Sequence, residues 1–168
     1  MQDAPPEKKH SQQAPRYVLA IDLGSGGHKA AIVSDTGQII ASASGKITTQ
    51  MLPDGGAEQD PLQWWQGARK VAKQVVRESG VAPQDIAAVG CDSQWSVVVA
   101  VAENGEPLMN AVHWLDTRGG KYNREISGGF PCIQGYNLFK VLKWLKLTGL
   151  APTHSGVDSL GHVLYIKN

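Results

Sequence analysis

Cysteine is scarce in this chain, and so is excess charge of either sign. The two cysteines, Cys91 and Cys132, fit no zinc spacing, and a disulfide framework needs more of them. Cys91 follows an apolar run and reads as buried. Sixteen lysines and arginines stand against 15 aspartates and glutamates, a formal net charge of +1. That balance gives no electrostatic case for nucleic acid or an anionic membrane. No apolar run approaches the ~20 residues of a membrane helix. The polar start, Met1 to Pro15, lacks the apolar stretch of a signal peptide and reads as a disordered tail. The five histidines, His10, His28, His113, His154 and His162, show no metal-ligand spacing. These absences leave a reduced, cytoplasmic, globular protein. Its 168 residues, 42% of them apolar, suffice for one core, placed at 16–168.

Glycine is plentiful instead, with 19 residues, so many turns or close backbone approaches are expected. Arg16 to Leu23 and His28 to Asp35 read as strands, Asp35 to Gly37 as a turn, and Gln38 to Thr48 as a third strand. Turns this short join antiparallel neighbours. Thr49 to Gln59 reads as a loop. Asp60-Pro61 then opens a helix, with Asp as N-cap and Pro at its first position, and Gly80 ends it. Asp85 to Gly90 reads as a buried strand and Ser96 to Ala102 as another, closing at the turn Glu103-Asn104-Gly105. Ala111 to Leu115 is short and extended. Thr117 to Ser127 is expected to be helical, and Ser127 to Gly135 a loop. Asn137 caps a helix to Leu147 with an apolar face of Leu138, Val141, Leu142 and Leu145; Lys140, Lys143 and Lys146 form its solvated face. The second half of Ser155 to Ile166 also reads as helix. An apolar stretch so near the last residue, Val163 to Ile166, needs something to pack on, so the natural protein is expected to continue.

Four segments carry chemistry. The first is Asp22-Leu-Gly-Ser-Gly-Gly-His-Lys29. Gly24, Gly26 and Gly27 allow a tight turn and bare backbone N–H groups that suit an anion, and Ser25 adds a hydroxyl. Asp22, at a strand end, suits a hydrated Mg²⁺, and Lys29 can point at an outer phosphate. The pattern is neither G-x-G-x-x-G nor Walker, and a plain glycine-rich hairpin reads equally well. The second is Cys91 to Ser96, at the carboxyl end of a strand, where open α/β sheets place ligands. Gln94 suits sugar hydroxyls and Trp95 an apolar sugar face; the alternative is a strand junction with Trp95 in the core. In the third, Trp114, Asp116 and Arg118 alternate and share one face if extended. That gives an aromatic platform, an acceptor and a donor fork suited to a polyol, or else a surface salt bridge beside a core Trp. The fourth, Glu58 to Trp65, reads as a helix start with Trp64 and Trp65 as packing residues.

Taken in order, these segments resemble the FGGY family of carbohydrate kinases, in the actin-like ATPase superfamily. Asp22 to Lys29 matches the family's D-x-G-[ST]-T-S-x-[KR]. Glu58 to Trp65 matches E-Q-[DN]-P-x-x-W-W, Ala88 to Gln94 matches A-I-G-x-S-x-Q, and Trp114 to Arg118 matches W-x-D-x-R. The resemblance covers roughly 17–168. It implies an α/β fold with a ribonuclease H-like mixed sheet, an antiparallel three-stranded start and flanking helices, incomplete in this chain. It also implies transfer of the γ-phosphoryl group of ATP to a hydroxyl of a sugar or polyol. Asp22 would then position Mg²⁺, and Gly24, Ser25, Gly26, Gly27 and Lys29 would lie near the phosphates. Gln94, Trp95, Ser96, Trp114, Asp116, Arg118 and Tyr136 would line the sugar pocket.

The chain departs from the family at Gly26 and Gly27, which stand in place of hydroxyl-bearing residues. Trp95-Ser96 replaces the Met-His of xylulose kinases and the Arg-Glu of glycerol kinases. The general-base Asp and the adenosine-binding surface are expected beyond Asn168, so the 168 residues alone are expected not to turn over. A non-catalytic sugar- or nucleotide-binding module of the same fold is the alternative, and an actin-like assembly domain a third reading. The oligomeric state stays open, with a homodimer among the options.

Overall fold

The computed structural model describes residues 16–168; the tail expected over Met1 to Pro15 lies outside the described residues. The sheet that organises the molecule begins with three strands: β1 (Tyr17–Gly24), β2 (Gly27–Ser34) and β3 (Ile39–Lys46). Each pairs antiparallel with the next, and Gly24 faces Gly27 across the first turn. Gly27 is demanded by packing, because a Cβ there would run into the carbonyl of Gly45 on β3. Two further strands follow where a loop was expected over Thr49 to Gln59: β4 (Gln50–Met51) and β5 (Ala57–Gln59), an antiparallel pair.

Helix α1 (Pro61–Ser79) starts and stops as its caps dictate. The Asp60 carboxylate accepts from the Leu62 N–H at 2.9 Å, Pro61 opens the first turn, and Gly80 closes the helix at φ 67°. Of its buried residues Ala68, Val71 and Val75, the two valines meet Ala30, Ile32 and Ala43 of the sheet. Full burial of a valine contributes about 1.5–3 kcal/mol. Trp65, expected to pack, is instead exposed, with the Arg69 guanidinium 5.9 Å from its ring.

Strand β6 (Ile86–Asp92) lies parallel to β1 and completes the order β3-β2-β1-β6. The antiparallel start followed by a parallel strand is the mixed sheet expected. β6 is not the buried strand anticipated. It forms one edge of the sheet, α1 packs chiefly on β2 and on β3 at the other edge, and all of β6 after Ile86, Cys91 included, is exposed.

The segment from Ser96 to Ala102 forms no strand. It makes only isolated bridges, Val98 to Val112 and Val101 to Pro107, around the expected turn at Glu103 to Gly105. β7 (Ala111–Val112) joins β5 antiparallel. α2 (Gly120–Ser127) follows, then a small hairpin of β8 (Cys132–Ile133), inside the expected loop, and β9 (Tyr136–Asn137), just past its end, then α3 (Leu138–Thr148) and α4 (Ser159–Lys167). α3 is capped by Asn137 and Gly149 as expected. It buries none of its residues, and Leu142 and Leu145 of its apolar face are exposed. No described helix is long and apolar enough to cross a membrane.

Candidate functional site

The parallel pair β1 and β6 delivers two segments to one end of the sheet. Gly24-Ser25-Gly26 leaves β1, and Ser93-Gln94-Trp95 leaves β6. Ligands of α/β sheets collect outside the carboxyl ends of parallel strands. A cavity of about 380 Å³ opens there, lined by Gly24, Ser25, Ser93, Gln94, Trp95 and Trp114. Trp95 is 72% exposed and Trp114 37%, so neither is a core residue. Both can offer ring surface to a ligand, and the other side chains of the lining supply two hydroxyls and one amide. Trp95 is held from both sides. Gln94 is hydrogen-bonded to Gln59 at 2.9 Å, and the Ser96 hydroxyl donates to the Val157 carbonyl at 3.2 Å. Ser96 adopts φ 53°, a left-handed conformation uncommon for a non-glycine residue.

A second cavity, of about 590 Å³, shares Gly24 and Ser25 with the first and wraps the glycine-rich turn. Gly26, Gly27, His28, Lys29, Ser44, Gly45 and Lys46 complete its wall. Lys46 supplies a cation that inspection of the sequence missed; it reaches the turn because β3 pairs Lys46 with Gly27. Lys29 Nζ lies 3.2 Å from Asp22 Oδ2, an exposed pair whose contribution to stability is small. His28 lies buried beside the turn, and burial pushes its imidazole below the usual 6.5.

Asp22 has a neighbour that the sequence did not announce. The register of β1 against β6 pairs it with Asp92, and only knowledge of that pairing would have drawn the two together. Adjacent residues on paired strands point to the same face of a sheet, and both carboxylates line a third, shallow cavity with Lys29 and Ser44. Asp92 Oδ1 accepts from the Ser93 N–H at 2.8 Å, which leaves its other oxygen without a donor among the described residues. Two hard oxygen donors side by side fit a divalent cation. Among the described residues no third histidine, cysteine or acid joins them, so such a cation would complete its shell with water or phosphate oxygens.

Four expected sugar-site residues do not line the cavity. Asp116 and Arg118 do not alternate on an extended strand, because the Asp116 N–H donates to the His113 carbonyl at 2.9 Å and turns the chain. Asp116 is fully buried, and its oxygens accept from the Ala57 N–H, the Arg118 N–H and the Arg118 guanidinium. Arg118 also reaches Glu58 at 2.7 Å and stacks its guanidinium over Tyr165 of α4 at 4.4 Å. Burial alone would raise the Asp116 carboxyl; the guanidinium and the two backbone donors outweigh it and hold the group below the ordinary carboxylate range. The pair is therefore neither a polyol fork nor a surface salt bridge. It ties β5, the turn after β7 and α4 into one buried knot. The Ser96 hydroxyl is directed at Val157, as above. Tyr136 stacks on His154 with ring centroids 3.8 Å apart, and its hydroxyl donates to the Pro152 carbonyl at 2.9 Å. Gly24, Ser25, Gln94, Trp95 and Trp114 are the residues brought together at the first cavity, with Gly26, Gly27 and Lys29 at the second.

Comparison with known proteins gives this geometry a context. The profile described as the FGGY family of carbohydrate kinases, N-terminal domain, matches residues 17–147. A glycerol kinase of Corynebacterium efficiens is 34% identical over 142 residues, covering 83% of this chain and 26% of the relative. A xylulose kinase of Staphylococcus epidermidis is 29% identical over 136 residues, covering 77% and 27%. Among solved structures, a gluconate kinase from Lactobacillus acidophilus superimposes with a TM-score of 0.74 at 19% identity, over 92% of this chain and 29% of that one; this likeness is one of fold. The chain spans about a quarter of the length of the curated relatives it matches.

Proposed function

The chain belongs to the FGGY family of carbohydrate kinases, and from that premise we propose that it forms the sugar-holding and phosphate-facing part of an ATP-dependent sugar or polyol kinase. One observation carries the reading. Gly24 and Ser25 are shared by two adjoining cavities, one walled by Gln94, Trp95 and Trp114, the other by Lys29 and Lys46. A hydroxyl in the first and a phosphoryl group in the second would approach each other across the turn. Phosphoryl transfer asks for just such positioning of donor and acceptor.

In this reading Trp95 and Trp114 stack against the C–H faces of the sugar and Gln94 bonds a hydroxyl. Lys29 and Lys46 attract the phosphates, and the Gly24 to Gly27 turn brings backbone close to them. Asp22 and Asp92 would hold Mg²⁺, which when bound neutralises phosphate charge. With a cation on Asp22, Lys29, which lies 3.2 Å from that carboxylate, would be free to meet a phosphate oxygen. No carboxylate lines the cavity of Gln94 and Trp95, so nothing there takes a proton from the attacking hydroxyl. The 168 residues on their own are therefore proposed to bind without turning over.

A coupled ADP-release assay tests the reading. The full-length protein is expected to release ADP with at least one member of a panel of pentoses, hexoses and polyols, and the 168-residue chain with none. No sugar-dependent ADP from the full-length protein would refute the kinase assignment; turnover by the short chain would refute the division of labour.

A further inference from the structure

Gln59 lies wholly buried between the two cavities and lines neither. Its amide uses every hydrogen-bonding position it has. Nε2 donates to the Ser25 carbonyl at 2.8 Å and to Thr49 Oγ1 at 2.8 Å. Oε1 accepts from the Trp64 indole N–H at 2.9 Å and from Gln94 Nε2 at 2.9 Å. An indole nitrogen can only donate and a backbone carbonyl can only accept. Those two partners, on opposite sides, leave the Gln59 amide a single orientation. That orientation is passed on. Gln59 offers Gln94 an acceptor, so Gln94 must present its NH₂ inward. Gln94 Oε1 is thereby left buried with no protein partner among the described residues, and leaving a buried acceptor unpaired is costly. A ligand hydroxyl that donates to it would remove that cost.

We infer that Gln59 is a positioning residue. It fixes the Gln94 amide so that its oxygen receives a substrate hydroxyl as a proton donor, and through Ser25 it ties the phosphate-facing turn to the same amide. The inference rests on the kinase reading for the identity of the substrate, whereas the tie to the turn is a property of the ligand-free chain. A filled sugar cavity and a set phosphate turn thus share one side chain.

Two variants of the full-length protein test this. Gln59→Met keeps length and removes all four bonds. It is expected to raise the KM for the sugar about tenfold, more than it lowers kcat, and to speed backbone hydrogen exchange in the peptide spanning residues 22–28 at least tenfold without ligand. Gln59→Glu offers an internal rescue. Its neutral carboxyl can donate to Ser25 and accept from Trp64, whereas its carboxylate cannot donate, and burial raises its pKa. Its KM is expected to fall toward the wild-type value as pH is lowered, over a range where the wild-type KM stays level. A Gln59→Met protein with wild-type KM and unchanged exchange in that peptide would overturn the inference, as would a Gln59→Glu KM that tracks wild type at every pH. If the wild-type protein turns over no sugar, the kinase reading falls and exchange decides alone: faster exchange in Gln59→Met keeps Gln59 as the tether of the turn, and unchanged exchange removes it.

Discussion

Trp114 and Asp116 are two residues apart and belong to different worlds. Trp114 faces a cavity, with over a third of its surface exposed, whereas Asp116 is sealed in a knot with Arg118, Glu58 and Tyr165. The turn at His113 to Asp116 separates them. In the knot every charge is answered: Asp116 accepts from two backbone amides and a guanidinium, and Arg118 meets three carboxylates, those of Asp116, Glu58 and Asp54, and an aromatic face. At the cavity the polar groups are spare. Among the described residues Gln94 Oε1 has no partner, Asp92 keeps an oxygen free of protein donors, and Lys29 rests on an exposed Asp22. A folded chain satisfies the polar groups it buries for its own stability; groups left unsatisfied at a cavity are those a ligand can satisfy. The contrast supports reading the knot as architecture and the cavity as the proposed site.

The comparison can be broken most forcefully at the knot. Asp116→Ala leaves the Arg118 guanidinium buried beside a void, and losing one partner of a buried ion pair costs about 3–5 kcal/mol. Urea unfolding should show a loss of that order; a loss below about 1 kcal/mol would mean that the knot is not structural. The reverse pattern is expected at Asp22. In the full-length protein Asp22→Ala should lower Mg-ATP turnover at least ~100-fold, about 2.7 kcal/mol. Its unfolding midpoint should stay near wild type, since the Asp22–Lys29 pair is exposed and worth little. Undiminished turnover would remove Asp22 from the site. Trp95→Ala should weaken sugar binding about tenfold, in line with the ~0.5–1.5 kcal/mol of aromatic contacts plus lost buried area, and leave stability within ~0.5 kcal/mol. A large loss of stability there would make Trp95 a core residue after all.

The smallest effect expected is a two-stage response to acid. His28 and His113 are held below the usual 6.5, chiefly by burial. The unfolded chain therefore binds more protons than the folded one as pH falls through that value, and stability declines gently. Asp116 and Asp158 are held below the ordinary carboxylate range by donors that outweigh their burial. Their contribution persists through that first stage and is lost only as pH drops below about 4. Urea midpoints measured from pH 8 to pH 3 should resolve the two stages, and a flat profile between pH 7 and 5 would show that the buried histidines carry no such linkage.

Much of this was legible in the residues alone. β1 to β3, α1 and α3 follow from apolar runs joined by short turns, helical spacing and caps such as Asp60, Asn137 and Gly149, all local signals. The glycine-rich turn, Gln94 and the two cavity tryptophans were legible because the chemistry each residue type can supply is narrow. What failed depends on distant partners. Ser96 to Ala102 has strand-like residues but makes only two isolated bridges. The fate of Asp116 and Arg118 is decided by Ala57 and Glu58, some 60 residues earlier. Asp92 and Lys46 reach the site through strand register, and Gln59 through a network spanning Ser25 to Gln94. None of these pairings is written in local spacing.

The most direct test is a crystal structure of the full-length protein with its sugar bound. The account predicts sugar carbons in van der Waals contact with Trp95 and Trp114 and a sugar hydroxyl donating to Gln94 Oε1. Asp116 should still be held by Ala57 and Arg118. A sugar bonded to the Asp116 carboxylate, with the Arg118 pair opened and Trp95 free, would contradict it.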